Sequence, residues 1–557
     1  MSVGKLSPRQ WISFLTLFAG VLITLVWTMA ILQRPLSVNF VSAAYLQYAQ
    51  LVHSGSTLYL DIYDINLPLI TYLHEAAVLL SDKLNLHVVV AFKLFLGVLS
   101  LISFLLCAAV LRRQLSSPQW TYAVVLLICS SLMGFAVGDL FGHSEHLFVL
   151  MFLPFFLLRW QRWSEMRQHN AMLGIVCGVL AAVGLFTKIY FLLIPIITEL
   201  YWFNRSKRFR GFLTSEMIAC KIVYVLCALQ ILLLPSPARD VYFKNILPVA
   251  IQGYAAFNQG LLRAVSMQDY PLMIVMTLIF SACVFFLRRT FDLLVPLALW
   301  MLAAYLAFVL QMKCWTYQTL PLLAGLVLTG AMIGVAQGKE LLRAILSRTR
   351  YKYILEQTLG DVDEKSALGL LICSCSVALF FGVKFVPQAA YALTICQRQP
   401  AENRCASLKS EMEKLADEHE EAALLAEYSA PGDKVLFLNT ALYPAYPAMT
   451  LMNRLPGSKY QHQQVIAFLE YLKRNTTDAG KLAKLQEQEN AVFQEILQDV
   501  QTNKPRMILI KQHQYPGCPE DFSLTSCMET GDYLNQILKG YKSVRLTANL
   551  DTFVREE

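Results

Sequence analysis

The stretch from Met172 to Phe203, MLGIVCGVLAAVGLFTKIYFLLIPIITELYWF, is largely apolar over more than 30 residues and is interrupted near its centre by Thr187-Lys188. An α-helix rises about 1.5 Å per residue, so about 20 residues cross the hydrocarbon core of a bilayer. This run is too long for one span. We therefore predict two transmembrane helices that meet at a turn near Lys188.

Similar apolar windows recur along the whole chain. The 557 residues are 56% hydrophobic and 15% charged, with a mean hydropathy of +0.47, which excludes a soluble globular protein. We predict an α-helical polytopic membrane protein with about 11 transmembrane helices. The predicted spans lie near 12–32, 88–110, 120–137, 146–158, 172–186, 189–203, 214–235, 272–287, 293–311, 316–336 and 367–387.

Basic residues are concentrated in six short segments, near 5–9, 112–113, 159–167, 205–210, 288–289 and 339–352. Lys and Arg beside membrane spans stay preferentially on the cytoplasmic side. The N-terminus is therefore predicted to be cytoplasmic, and an odd number of spans places the C-terminal segment outside. These topogenic loop charges account for much of the net charge of +8 and can contact anionic lipid headgroups, so no nucleic-acid partner is predicted.

Two domains are predicted. Residues 1–389 form the transmembrane domain, which includes a long first outer loop at 33–87, and residues 390–557 form a soluble domain. Within the second domain, Lys434–Leu438 and Arg506–Ile510 have the residue types of buried strands and are separated by helical segments. This order indicates a small α/β layer.

Four cysteines lie in the segment predicted to be exported: Cys396, Cys405, Cys518 and Cys527. Cysteines in an oxidising compartment commonly form disulfides, and loop length favours the pairs 396–405 and 518–527 over the other two connectivities. Metal binding is the alternative, but no C-x₂-C spacing supports it.

The first outer loop contains two acids, Asp61 and Asp64, three residues apart and followed by a turn at Pro68. An ordinary solvated loop would also have this composition. Polar residues beside membrane spans are costly unless they are used, however, so the pair is a candidate site.

A second polar cluster, with His143, Glu145 and His146, lies between two apolar spans. Glu145 in the first turn of the next helix would also be favoured by the helix dipole. Two histidines and a carboxylate could bind zinc, but a third ligand with suitable spacing is not evident, so no metal is predicted. Lys188 could snorkel to lipid headgroups or bind a phosphate as a point charge.

Three motifs in order resemble the GT-C superfamily of membrane glycosyltransferases, especially bacterial relatives of the protein O-mannosyltransferases and the lipid A aminoarabinose transferases. The motifs are Gly55–Asp61 followed by Asp64–Leu69, Gly184–Lys188, and Lys313–Leu322. The resemblance extends over approximately residues 1–390. It implies a GT-C-like fold in a bacterial inner membrane, with the C-terminal domain in the periplasm.

The resemblance implies that a polyprenyl-phosphate-linked sugar is the donor and that an acid of the first outer loop activates the acceptor. Asp61 and Asp64 match the loop motif, and Glu145 is a further candidate base. Many relatives have an acid near the start of this loop, whereas residues 38–45 contain none. The candidates for binding the donor phosphate are Lys188, Arg263 and Lys313, and those for contacting the acceptor or sugar are Tyr63, His143 and Tyr317.

The predicted function is transfer of a sugar from the lipid-phosphate carrier to an envelope glycan, lipid or protein on the outer face of the membrane, without a cofactor. One alternative is a lipid or glycolipid flippase, although the ionisable residues gather at one face and no broken-helix pair recurs in two halves. A non-catalytic membrane scaffold that presents the C-terminal domain is the other.

Overall fold

The computed structural model describes residues 8–32, 37–117, 120–134, 140–165, 170–346, 419–511, 522–547 and 549–556. The helices up to residue 346 are α1 Pro8–Leu32, α2 Phe40–His53, α3 Leu69–Leu84, α4 Val88–Leu111, α5 Trp120–Leu132, α6 Ser144–Glu165, α7 Ala171–Phe186, α8 Leu193–Ser206, α9 Ser215–Leu229, α10 Ser236–Val241, α11 Leu247–Gly253, α12 Leu261–Ser266, α13 Pro271–Leu287, α14 Leu294–Gln311 and α15 Leu320–Leu346. The later elements are α16 Glu420–Tyr428, β1 Lys434–Leu438, α17 Ala445–Leu451, β2 Leu455–Pro456, α18 Gln464–Arg474, α19 Ala479–Asn503, β3 Met507–Lys511, α20 Leu524–Thr530, α21 Tyr533–Leu538, β4 Tyr541–Leu546 and β5 Leu550–Arg555.

The apolar helices make this a multi-pass membrane protein. Among the described residues, five helices are long and apolar enough to cross a bilayer: Ser13–Leu32, Val88–Leu111, Ser215–Leu233, Leu294–Gln311 and Thr316–Lys339. Three shorter apolar helices are α5, α7 and α13. Helices α6 and α8 occupy the predicted windows at 146–158 and 189–203. The eleventh window, 367–387, lies outside the described residues, so the total of eleven stays a prediction.

Local capping explains where several helices begin. The side chain of Asn39 accepts a hydrogen bond from the Ser42 amide at the start of α2, and Asn170 does the same for Met172 at the start of α7. Asp478 caps α19 by accepting from the Lys481 amide. Each cap satisfies an amide that has no partner within its helix.

The chain forms two compact units. The transmembrane unit comprises residues 1–33, 93–228 and 259–399, and the composite unit comprises 34–92, 229–258 and 400–557. Nearly all of the loop at 33–87, which the sequence assigns to the transmembrane domain, therefore groups with the C-terminal residues. The physical reason is that this loop and the C-terminal segment pack their buried side chains into one core.

Helix α2, in the loop at 33–87, packs on α17 of the C-terminal segment. Gln47 Nε2 donates to the carbonyl of Arg454 at 2.5 Å, and Thr450 Oγ1 donates to the carbonyl of Ala43 at 2.8 Å. The Tyr446 hydroxyl also bonds Gln47. All of these groups are buried, so their hydrogen bonds are required to offset the cost of removing them from water.

A five-stranded mixed sheet with the order β2-β1-β3-β5-β4 forms the rest of the composite unit's core. Strand β1 is parallel to β2 and β3, whereas β5 is antiparallel to β3 and β4. The last four residues of β1 and the first four of β3 are buried. These strands confirm the two predicted from their apolar sequence, and with them the small C-terminal α/β region.

The predicted Cys518–Cys527 disulfide is wrong, because Cys527 carries a free thiol in α20. Half-burial raises the pKa of this thiol to about 11, so it is poorly nucleophilic at neutral pH. Cys396, Cys405 and Cys518 lie outside the described residues, so the other predicted pair is not tested.

Candidate active site

In the transmembrane unit, Glu145 and Lys188 form an ion pair. Glu145 lies in the first turn of α6, and Lys188 lies at the break between α7 and α8, where its backbone is extended. The distance from Lys188 Nζ to Glu145 Oε1 is 2.5 Å. The Glu145 side chain is 1% exposed and that of Lys188 is 24% exposed. The ammonium is therefore partly exposed, whereas the carboxylate is buried.

Two ring side chains complete this group, which we call the Lys188 cluster: His143, Glu145, Lys188 and Tyr317. Lys188 Nζ lies 4.7 Å from the centroid of the Tyr317 ring, within cation–π range. The His143 and Tyr317 rings stack at 4.4 Å with an angle of 17°. Oε2 of Glu145 is 3.8 Å from His143 Nδ1 and accepts no hydrogen bond from the described residues. The structure thus brings together four of the predicted site residues.

Lys313 lies on a tightly held segment between α14 and α15. Its neighbours Met312 and Cys314 have φ angles of 55° and 56°, in the left-handed region that non-glycine residues rarely adopt. The Gln318 side chain holds the segment by donating to Gln311 Oε1 at 2.9 Å and accepting from the Trp315 amide at 3.2 Å. Lys313 is 4% exposed, and this burial lowers its pKa to about 8.

Arg263 is held differently from the two lysines. Its guanidinium makes a bidentate pair with Asp269, at 3.0 and 2.9 Å, and donates to Gln259 Oε1 at 3.0 Å. The side chain is 43% exposed. Its charge is already paired with a carboxylate and is screened by solvent, so it would gain little from binding a lipid phosphate. Arg263 is therefore the weakest of the three predicted phosphate ligands.

The two acids of the loop at 33–87 have different environments in the composite unit. Asp61 is exposed, and its Oδ2 accepts from the Thr57 amide at 2.7 Å, which closes a local turn. Asp64 is buried at 7% exposure, and its Oδ1 accepts from the amide and the side chain of Asn66 at 3.1 and 2.9 Å. The sequence alone does not distinguish these acids, whereas burial does.

Burial raises the pKa of the Asp64 carboxyl to about 6, although hydrogen bonds from Asn66 and the Ile65 amide oppose the rise. Tyr59 and Tyr242 lie close enough to interact electrostatically with this carboxylate. Their ring centroids are 4.5 Å apart, and the Tyr59 hydroxyl donates to the Asn66 carbonyl at 2.7 Å. A carboxylate with this pKa is ionised at neutral pH and is a stronger base than an ordinary aspartate. Neither Tyr59 nor Tyr242 is among the site residues predicted from the sequence.

Tyr63, predicted to contact the acceptor or sugar, is buried in the composite unit. Its ring lies 5.1 Å from that of Tyr460, and its hydroxyl has no hydrogen-bond partner among the described residues. A role in holding the loop fits this position better than a direct sugar contact.

No group of three or more His, Cys, Asp or Glu residues suited to a metal is found in the part of the chain that the structure describes. His146 is buried, and its Nδ1 accepts from the Gly142 amide at 3.0 Å. This nitrogen is therefore occupied by the backbone instead of facing Glu145.

A second buried charge cluster, which the sequence patterns did not predict, lies further along α6. Arg159, counted there as a loop charge, instead lies within α6 and is fully buried. It donates to both oxygens of Glu199 at 2.6 and 2.7 Å, to Glu216 at 3.0 Å and to Thr214 at 2.8 Å. Arg162 also pairs with Glu216, at 3.1 Å. We call Arg159, Arg162, Glu199 and Glu216 the Arg159 cluster.

No protein-family model matches the sequence, and no curated protein matches it. Among solved structures, the chain is similar to a crystal structure of ArnT from Cupriavidus metallidurans bound to undecaprenyl phosphate, with a TM-score of 0.49 and 11% sequence identity. The match covers 98% of this chain and 98% of that chain.

Proposed function

We propose that the protein is a glycosyltransferase that moves a sugar from a polyprenyl-phosphate-linked donor to an envelope glycan, lipid or protein acceptor on the outer face of a bacterial inner membrane. The observation that carries this proposal is the buried environment of the Asp64 carboxylate. This carboxylate has a pKa raised to about 6 and lies in the loop where the GT-C resemblance implies an acceptor base.

In the proposed reaction, an acceptor hydroxyl attacks the anomeric carbon of the donor sugar. A bond forms between the acceptor oxygen and that carbon, and the bond from the carbon to the phosphate oxygen breaks. The acceptor proton passes to Asp64, and the electron pair leaves with the polyprenyl phosphate. A base with a pKa close to the working pH suits this step, because it is ionised and still binds a proton well.

Lys188 and Lys313 are the proposed ligands of the leaving phosphate. Lys188 retains 24% exposure, so its ammonium can exchange part of its contact with Glu145 for a phosphate oxygen. Charge developing on the leaving group is stabilised by cations that are already in place. The stiff segment around Lys313 provides such a fixed position.

Glu145 and the rings of the Lys188 cluster are the proposed sugar contacts. Oε2 of Glu145 is a buried carboxylate oxygen without a hydrogen bond from the described residues, and such an atom is costly unless a ligand supplies a donor. A sugar hydroxyl is such a donor. The stacked His143 and Tyr317 rings provide a flat apolar face for the sugar carbons.

The test compares Asp64→Asn with Asp61→Asn, using purified protein, lipid-linked sugars and an envelope extract, with products identified by mass spectrometry. Loss of a general base costs about 10²- to 10⁴-fold in turnover, so Asp64→Asn should be nearly inactive while its donor KM stays close to wild type. Asp61→Asn is the matched control, since its exposed carboxylate only closes a turn. Full transfer by Asp64→Asn would exclude Asp64 as the base.

A further inference from the structure

A short segment of the C-terminal region, Ser458–Tyr460, contacts the loop that carries Asp64. The Tyr63 amide donates to the Lys459 carbonyl at 3.0 Å. The rings of Tyr63 and Tyr460 lie 5.1 Å apart with an angle of 35°. The residue adjacent to Asp64 is therefore held by both its backbone and its side chain.

Helix α19 fixes this segment through two acids one turn apart, Glu495 and Asp499. The Tyr460 hydroxyl donates to Glu495 Oε2 at 2.5 Å. Asp499 Oδ2 accepts from Ser458 Oγ at 2.7 Å and from the Lys459 amide at 3.0 Å. Residues i and i+4 lie on the same face of a helix, so the two acids hold both ends of the segment.

The position of the Asp64 carboxylate depends on its own loop. Among the described residues, the carboxylate accepts hydrogen bonds from Asn66 and the Ile65 amide, both within two residues of it. On the other side, the Tyr59 amide donates to the Ile62 carbonyl at 2.8 Å and turns the chain back on itself. The loop therefore has the shape of a tight turn, and the Tyr63 amide ties that turn to the C-terminal region.

We propose that Ser458–Tyr460, fixed by Glu495 and Asp499, is a positioning element that holds Asp64 in place for the acceptor. This inference rests on the proposed role of Asp64 as the base. It assigns to the C-terminal region a part in building the acceptor site, beyond that of a separate domain. The three residues position the base and do not themselves touch the reacting atoms.

The groups that face Asp64 determine how its pKa would change if this element were loosened. They are the phenols of Tyr48 from α2, Tyr59 and Tyr63 from the loop, and Tyr242 from the segment Tyr242–Ile246. All four are neutral at working pH, so the dry environment sets the high pKa of Asp64. A looser loop would admit water and lower that pKa toward the ordinary aspartate value.

The experiment uses Tyr460→Phe and Asp499→Ala in the full chain, with Glu487→Ala as the control. Tyr460→Phe keeps the ring against Tyr63 and removes only the bond to Glu495, whereas Asp499→Ala removes both bonds of its carboxylate. Glu487 is an exposed acid on the same helix. We expect turnover to fall about 10- to 100-fold in Asp499→Ala, which is typical of a misplaced catalytic group, with donor KM within about twofold of wild type. The acidic limb of the turnover pH profile should move below pH 6, and Tyr460→Phe should show the same changes more weakly.

Hydrogen exchange gives a readout that does not require activity. In Asp499→Ala, amides in a peptide covering residues 58–66 should exchange faster than in wild type and in Glu487→Ala. If exchange rises but the wild-type protein forms no glycosidic product, the positioning of the Asp64 loop stands and the proposed function fails. Unchanged exchange and an unchanged pH profile in both variants would overturn the positioning role.

Discussion

Helix α6 carries two buried ion-pair clusters that differ in how completely their charges are matched. The Arg159 cluster contains two arginines and two glutamates, and Arg159 itself makes several charge-assisted bonds at 0% exposure. In the Lys188 cluster, one carboxylate oxygen of Glu145 has no hydrogen bond from the described residues, and the lysine is 24% exposed. Glu145 and Arg159 lie 14 positions apart on α6, about 21 Å along the helix.

This difference indicates that the Arg159 cluster contributes to stability and the Lys188 cluster to ligand binding. A cluster whose hydrogen-bonding capacity is filled by the protein has nothing left to offer a ligand, and it fixes α6 against α8 and α9. A cluster with an unfilled acceptor and a partly exposed cation retains capacity that a ligand can use. Since both clusters lie on one helix, a pair of substitutions can compare them directly.

The largest expected effect is that of Arg159→Met on folding. The substitution leaves the carboxylates of Glu199 and Glu216 buried without their main partner, and breaking a buried pair in this way costs about 3–5 kcal/mol. We expect a clear fall in the unfolding midpoint in detergent, or loss of folded protein. The double substitution Arg162→Met and Glu216→Gln removes one charge of each sign and should be milder. Wild-type stability of Arg159→Met would contradict the structural role of this cluster.

The next effect is on donor binding, in a variant carrying both Glu145→Gln and Lys188→Gln. Removing both charges leaves no unpaired ion, so the free energy of unfolding should change by no more than about 1 kcal/mol. Losing a hydrogen bond to a charged group costs about 1.5–3 kcal/mol, so the donor KM should rise about 10- to 100-fold. Lys221→Gln, which removes an exposed cation on α9, is the control and should leave donor KM unchanged. A large stability loss with unchanged donor KM would reverse the comparison.

The smallest effect concerns Lys313 and pH. Its ammonium has a pKa lowered to about 8 by burial, so it is mostly protonated at pH 7 and loses its charge as the pH rises through 8. Donor affinity should therefore fall by up to about tenfold between pH 7 and 9.5. In Lys313→Gln, affinity should be low and independent of pH over this range. The same alkaline fall in Lys313→Gln would show that another group titrates.

Sequence patterns identified the membrane helices and the two central strands well, because hydrophobic length and apolar runs are local properties. They also selected four residues that meet in the Lys188 cluster, since Glu145 and Lys188 stand out among apolar neighbours. The same reasoning misjudged Arg159, because a basic residue after an apolar window resembles a flanking loop charge. Its acidic partners lie 40 and 57 residues away in sequence.

The environment of Asp64 could not be predicted for a similar reason. The Tyr242 ring and the Lys459 carbonyl, which accepts from the Tyr63 amide, come from distant parts of the chain. No local sequence pattern predicts that they lie near Asp64. Local spacing could indicate that Asp61 and Asp64 matter, but only burial separates a solvated turn acid from a dry carboxylate.

Product analysis in liposomes tests the central claim most directly. Purified wild-type protein is reconstituted with a polyprenyl-phosphate-linked sugar and an envelope lipid or glycan extract, and the products are measured by mass spectrometry. We predict an acceptor whose mass has increased by one sugar residue, together with an equal amount of released polyprenyl phosphate, and neither product in Asp64→Asn. Movement of the intact lipid-linked sugar to the other leaflet, with no new glycosidic bond, would contradict the proposed function and identify a flippase.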